Sequence, residues 1–432
     1  MLGDVAGTLA GGAQLIAAPG PYLGGPDPVS ARFAITFILV TVVIDAMGIG
    51  LIVPVMPDLI RDLRGLDLSA AAVWGGLLAT SFAAMQFLFG PALGSLSDSR
   101  GRRPVLLISL VVMGIDYLIM GLTASIWILL AGRIIGGITA ATNATALAYV
   151  ADISEADRKS QNFGLVGAAF GAGFILGPLL GGVLSEFGSR APFFAACALA
   201  FANAAFGYFV LPETVTARTR RPFSLERANP FGALRHVGRV RGAAPLLVAF
   251  FLHSLAFFVY PAVWSFYTQE QFRWDPFMVG ISLAAVGVSI ILVQGGLIRV
   301  ILPRFGEWRT VIGGTGITCM VFLAYGFARE GWMVFVLIPL SSLGMVSNPV
   351  LQGLLSKSAS DDAQGELQGV LAAITAVATI LSPMVMTLTF RVFTRDEAPV
   401  YLPGAPFLLS SLIELAAMLV LIAAVRDWFR ST

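Results

Sequence analysis

The sequence predicts an all-α integral membrane protein of twelve transmembrane helices arranged as two six-helix halves, and three observations lead there. Of its 432 residues, 57% are hydrophobic and 12% charged, with a mean hydropathy of +0.85, whereas soluble domains carry about 25% charged residues. Apolar runs long enough to cross about 30 Å of hydrocarbon recur twelve times along the chain. A shift of 205 positions lays the second six runs over the first. It places Gly75 on Gly280, Leu78 on Leu283, Ala79 on Ala284, Gly90 on Gly295, Gly101 on Gly306, Asn143 on Asn348, Gly164 on Gly369, Ala168 on Ala373 and Pro178 on Pro383. One gapless offset serving all nine pairs marks two copies of a single unit.

The first six spans are expected near 33–57, 70–93, 104–124, 126–150, 161–184 and 191–211. The second six are expected near 244–268, 276–300, 309–328, 331–355, 365–391 and 401–425. Residues 1–30 hold no Lys or Arg, and their apolar stretch, 9–18, is too short to span. They read as a disordered Gly/Pro/Ala tail. The halves are then 31–211 and 244–432, joined by a polar linker, 212–243, that carries Arg218, Arg220, Arg221, Arg227, Arg235, Arg239 and Arg241. Placing that linker and both termini in the cytoplasm leaves 19 Lys and Arg inside, 7 outside and Arg133 within a span, the bias expected of a plasma-membrane protein.

Composition narrows the function classes. A net charge of +2 gives no case for nucleic acid. Cys197 and Cys319 both lie in apolar runs, which points to buried small hydrophobes rather than a disulfide or a metal site. No Gly-rich loop leads to Lys-Ser/Thr and no nucleophile–base set is present, so neither an ATP-driven pump nor a membrane hydrolase is supported. A non-enzyme is expected, with no metal and no cofactor. Its partners are a small-molecule substrate, protons and the lipid bilayer, and a monomer is expected.

Between the second and third spans, Gly94, Asp98, Arg100, Gly101, Arg102, Arg103 and Pro104 form a charged island. The glycines allow a tight turn, Asp98 can accept hydrogen bonds, and the arginines hold the turn at an anionic membrane face. The island resembles the signature loop of the major facilitator superfamily of transporters. That resemblance implies a conformational latch made by Gly94, Asp98, Gly101, Arg102 and Arg103. The repeat makes the latch one-sided, because Pro303 falls where Asp98 would be.

Ionised groups inside a bilayer are costly and mark function. Asp45 in the first span, Asp116 in the third and Arg133 in the fourth are accordingly candidates for proton coupling. Each is also explicable as a static polar staple. Gly132, Arg133 and Gly136 resemble the fourth-helix motif of drug/proton antiporters. Gly173, Gly177, Pro178, Gly181 and Gly182 resemble the fifth-helix motif of proton-coupled exporters, where small residues let helices pack backbone to backbone.

Further matches run from Asp45 through Pro54 and Pro57 to Gly280, Glu330, Gln352 and Gln364. Together they resemble the tetracycline/proton antiporter branch over nearly all of 31–425. The resemblance implies export of an amphipathic small molecule by alternating access. A proton symporter or facilitator shares the fold, and a non-transporting receptor is the alternative of another class. The chain departs from the branch at two positions: it has Ile290 and Thr318 where those exporters carry a histidine and an aspartate that take part in proton coupling. The nearest titratable replacements are His253 and Glu414. Residues expected to line the cavity are Gln86, Asn143, His253, Phe257, Tyr260, Trp264, Gln294, Asn348 and Gln352, the aromatics sharing one face by their spacing of three and four.

Overall fold

The computed structural model describes residues 28–155, 158–217, 219–224, 228–232, 244–358, 364–398 and 400–431. The expected tail therefore lies almost wholly outside the described residues, as do Arg218, Arg227, Arg235, Arg239 and Arg241 of the linker. In the first half the helices are α1 (Pro28–Ile52), α2 (Met56–Arg64), α3 (Leu68–Arg100), α4 (Arg102–Leu122), α5 (Ile126–Thr139), α6 (Thr142–Ile153), α7 (Lys159–Ser185) and α8 (Ala191–Val210). In the second they are α9 (Ala244–Phe257), α10 (Val259–Phe272), α11 (Pro276–Leu292), α12 (Ile298–Phe327), α13 (Gly331–Gly344), α14 (Ser347–Lys357), α15 (Gln364–Thr394) and α16 (Ala405–Ser431), with a π-helical turn, Val293–Leu297, between α11 and α12. Every backbone polar group in a bilayer must be satisfied within the chain, and continuous helices do this.

Among the described residues, eleven stretches are long and apolar enough to cross a membrane, one of them the 52 residues Pro276–Phe327. That stretch is two spans, because Gly306 (φ 74°, ψ 168°) breaks α12. The repeat extends to the breaks themselves. Gly101 and Gly306, 205 positions apart, both have positive φ and each separates two spans. Likewise α5 ends at Thr139 and α13 at Gly344, α1 ends at Ile52 and α9 at Phe257, and α7 and α15 begin at Lys159 and Gln364. An ion pair repeats with its polarity reversed: Arg102 Nε lies 3.1 Å from Asp152 Oδ2, and at the equivalent positions Lys357 Nζ lies 2.5 Å from Glu307 Oε1.

Two boundaries differ from expectation. The first span stops at Ile52, because Pro54 and Pro57 lack the N–H that would carry the helix onward, and the chain re-forms as α2 with Pro57 in its first turn. The charged island is not an eleven-residue loop. Residues Gly94–Arg100 stay helical, Gly101 donates to Ser97 O at 3.0 Å, and only Gly101 (φ 117°, ψ 150°) leaves helical geometry before α4 starts at Arg102. An L residue rarely adopts that backbone conformation.

Tight packing joins α1 to α7. A Cβ on Gly177 would sit 2.6 Å from Met47 O and 2.8 Å from Gly50 Cα, and Gly173 and Gly181 lie equally close to the backbone of α1. Gly182 faces α11 across the boundary between halves, where a Cβ would approach Phe277 Cα to 2.9 Å. On that same side of the molecule Ser265 Oγ donates to Val53 O at 2.9 Å, Gln269 Nε2 to Pro54 O at 3.3 Å and Thr80 Oγ1 to Ile380 O at 2.9 Å. The halves are thus closed at the α2 face and separate toward the face that carries the 94–104 segment and the linker.

Two predictions follow from this packing. Gly101→Ala and Gly306→Ala should each cost about 1–3 kcal/mol, the strain of a Gly-only conformation, whereas Gly94→Ala, whose surroundings are open, should leave thermal unfolding in detergent unchanged or raised. Gly177→Val should destabilise by about 1–3 kcal/mol or more through overpacking, read as a lowered unfolding temperature, with Gly164→Val, in open space, as the control.

Candidate functional site

Where the halves separate, they enclose a cavity of about 1190 Å³ lined by Gln86, Asn143 and Asn229 on one side and by Phe250, Gln352 and Glu366 on the other. Linker residues reach its rim, and Phe231 makes an edge-to-face contact with Phe87 of α3 at 5.6 Å. A smaller cavity of about 410 Å³ lies within the second half, lined by His253, Phe257, Ile290, Gln294, Asn348 and Gln352 among others. Gln352 belongs to both cavities and donates from Nε2 to Asn348 Oδ1 at 2.7 Å. Seven of the nine residues expected in the cavity therefore line one of the two.

Tyr260 and Trp264 do not. Trp264 is 1% exposed and gives its indole N–H to Ser282 Oγ at 2.9 Å, and both rings pack against Tyr325 and Phe407. The shared face assumed one continuous helix. Pro261 supplies no N–H to Phe257, the chain breaks at Phe258, and beyond the break the aromatics turn into the core of the second half.

The three titratable groups of the first half divide into two sites. Asp45, half-buried on α1, lies near Thr142 at the start of α6 and near Tyr117, whose ring packs on Gly48 one turn along. Asp116 of α4 pairs instead with Arg133 of α5, at 2% and 9% exposure. Glycine makes room for that carboxylate: a Cβ at Gly132 would lie 2.8 Å from Asp116 Oδ1, and one at Gly136 2.9 Å from Oδ2. The guanidinium also lies over the Phe82 ring at 4.8 Å, a favourable cation–π placement. In this state the cation of the fourth span is engaged by Asp116.

In the second half, Ile290 lines the same small cavity as His253, and Thr318 turns its hydroxyl back to Gly314 O at 3.1 Å. His253 Nδ1 lies 2.8 Å from Glu414 Oε1, both side chains almost fully enclosed.

The charged island is tied within its own half. Asp98 Oδ1 meets Arg102 at 2.5 Å, and the same guanidinium bridges to Asp152 of α6. Glu213, just beyond α8, accepts from the backbone N–H of Arg102 at 2.9 Å and of Arg103 at 3.2 Å, so a carboxylate from 111 residues away caps α4 at its positive end. Thr214 Oγ1 donates to Asp152 Oδ2 at 3.1 Å, and Arg103 stacks over Tyr208 at 5.4 Å. The linker follows the island, with Arg221 N–H donating to Asp98 O at 3.2 Å and Ser224 N–H to Ser95 Oγ at 3.2 Å. Gly94 makes no close helix approach, since nothing lies within 4 Å of a Cβ built there. Sequence reasoning missed Asp152 and Glu213. The 205-residue offset would have flagged the first, because it pairs Arg102 and Asp152 with Glu307 and Lys357.

Comparison with known proteins agrees with this architecture. The chain is 42% identical over 357 residues to the class C tetracycline resistance protein of Escherichia coli, covering 83% of this chain and 89% of that one. It is 34% identical over 363 residues to the class B protein of the same organism, covering 84% and 89%. Among solved structures it resembles the human organic anion transporter MFSD10 (TETRAN), with a TM-score of 0.66 at 25% identity over 90% of this chain and 99% of that one. A bacterial homolog of the human lysosomal transporter Spinster, solved inward-facing and unoccupied, shares the fold with a TM-score of 0.71 at 16% identity over 94% and 97%. The profile of the Major Facilitator Superfamily matches residues 38–426. A match that runs through both six-helix halves, on helices whose breaks repeat from one half to the other, makes this multi-pass membrane protein a transporter and not an enzyme: the chain belongs to the Major Facilitator Superfamily.

Proposed function

We propose that the protein is a proton-coupled antiporter of the plasma (inner) membrane that exports a tetracycline-like amphipathic drug by alternating access, acting as a monomer with both termini in the cytoplasm. The observation that carries this reading is the cavity of about 1190 Å³ between the halves, sealed at the α2 face by cross-half hydrogen bonds and open toward the linker. Its amides and aromatic and aliphatic side chains suit a large solute with polar edges. The similarity to tetracycline resistance proteins supports that substrate class. On this reading the described state faces inward. Closure of the linker face around the Gly182–Phe277 contact, with opening of the α2 face, would deliver the solute outside.

Asp45 is the proton carrier in this scheme. It sits on α1 near Thr142 at the start of α6, whose hydroxyl can donate to a carboxylate or accept from a neutral carboxyl. A neutral carboxyl and a carboxylate differ in what they stabilise around them, so protonation biases the equilibrium between the two states. Asp116 and Arg133 serve as a fixed staple between α4 and α5, since each buried charge has the other as its counter-ion.

Everted vesicles provide the test. They should accumulate tetracycline when acidified inside, and Asp45→Asn should reduce that accumulation about tenfold or more while leaving tetracycline exchange at equal pH; unchanged proton-driven uptake would remove Asp45 from the mechanism. Asp116→Asn alone should destabilise by about 3–5 kcal/mol by stranding a buried cation, and Asp116→Asn combined with Arg133→Met should recover much of the loss, as measured by thermal unfolding. A stable Asp116→Asn protein that loses only proton coupling would instead move Asp116 into the proton path.

A further inference from the structure

The mechanism above leaves the His253–Glu414 pair without a task. It joins α9 to α16, the first and last helices of the second half, with 3% and 0% of the two side chains exposed. His253 Nε2 and Glu414 Oε2 have no hydrogen-bond partner among the described residues. The titratable groups nearest the pair are Tyr260 of α10, Tyr325 of α12, which adjoins Tyr260, and Cys319 of α12, in contact with Ser411 one turn from Glu414. Helix α15 packs on both α9 and α16 and carries no charge between Glu366 and Arg391, while α14 carries only Lys357 at its end. Helix α12, also packed on α16, carries Arg299, Arg304, Glu307 and Arg309, and among the described residues no further charged side chain forms an ion pair with His253 or Glu414.

Unused buried atoms alone do not set this pair apart, since Asp116 and Arg133 keep such atoms as well; its position beside a cavity does. His253 lines the cavity of about 410 Å³ whose polar wall includes Gln294, Asn348 and Gln352. Gln352 is shared with the large cavity between the halves. The imidazole thus borders a polar space that adjoins the substrate cavity at Gln352, and the carboxyl pairs with its other face.

We propose that His253 and Glu414 form a proton-loading site of the second half, filled from the central cavity through the imidazole. The proposal rests on the proton-coupled reading above and adds a second site to it. A proton arriving from cavity water binds His253 Nε2, the proton on Nδ1 passes to Glu414 Oε1, and the result is a neutral imidazole bearing its hydrogen on Nε2 beside a neutral carboxyl. The pair takes up one proton, its charge rises from minus one to zero, and no bond to a heavy atom changes. Reversal of the two transfers returns the proton to the cavity. In a low-dielectric interior the uncompensated anion is the costly state, so unloading waits for a conformation that lets water or a cation reach the pair.

The test uses the full-length protein reconstituted in liposomes and needs no substrate. Infrared difference spectra between about pH 5 and about pH 9 should contain a protonated-carboxyl band that disappears in Glu414→Gln and shifts in His253→Gln. Spectra of Glu414→Gln that match those of the parent protein would overturn the proposal. Should Glu414→Gln not be recovered folded, the His253→Gln spectrum decides alone: a shifted band supports the pair, and an unmoved band overturns it. With tetracycline as probe, Glu414→Gln should keep counterflow and lose about tenfold or more of pH-driven uptake; loss of both together in a folded protein would mark a structural role and overturn the proposal. Failure of the parent protein to move tetracycline would sink the substrate reading alone, and the infrared result would still decide for the pair.

Discussion

Hydrophobic burial cannot hold transmembrane helices against one another once they lie in lipid, because the lipid is as apolar as the side chains. What remains is close contact, and in this chain it is concentrated along α7. Gly173, Gly177 and Gly181 bring its backbone onto that of α1, and Gly182 brings it onto α11 of the other half. The same helix therefore organises the first half and provides the surface against which the second half sits. Gly280, the repeat partner of Gly75, rests against the backbone of Pro178, so the seam between the halves is lined on both sides by residues without bulk. A seam of this kind resists separation along its length and opposes small rotations weakly, which suits two bodies that must rock about it.

The polar groups are distributed around this seam according to what each can find as a partner. Asp116 and Arg133 pair with each other and are not among the residues that line the two cavities. Asp45 lies near Thr142, and the His253–Glu414 pair lies beside a cavity. A buried charge with a matched counter-charge stabilises one geometry. A titratable group with a partner that accepts both of its protonation states can serve two geometries.

The spans, their number and the repeat were legible in the sequence because they depend on local composition and on a constant spacing, neither of which requires knowing how the helices face one another. The family resemblance was legible for the same reason, since Gly101, Pro178 and their neighbours are read as short strings. The partnerships were not. Arg133 pairs with Asp116 rather than Asp45 because of the rotation of α5 about its axis, which no single helix encodes. Tyr260 and Trp264 were assigned to the cavity on an unbroken helical face, and the break at Phe258 turned them inward. Glu213 caps a helix 111 residues earlier in the chain, a contact that exists only once α8 has packed beside α4.

The reversed ion pair, Arg102 with Asp152 and Glu307 with Lys357, carries a consequence for a duplicated molecule. Two identical halves related by a twofold axis carry the same charge at equivalent places. Here the two positions carry opposite signs in the two halves, while each pair stays neutral within its own half. The contact between the two helices is therefore kept in both copies although neither charged residue is, so what the duplication has preserved is the pairing and not the charge.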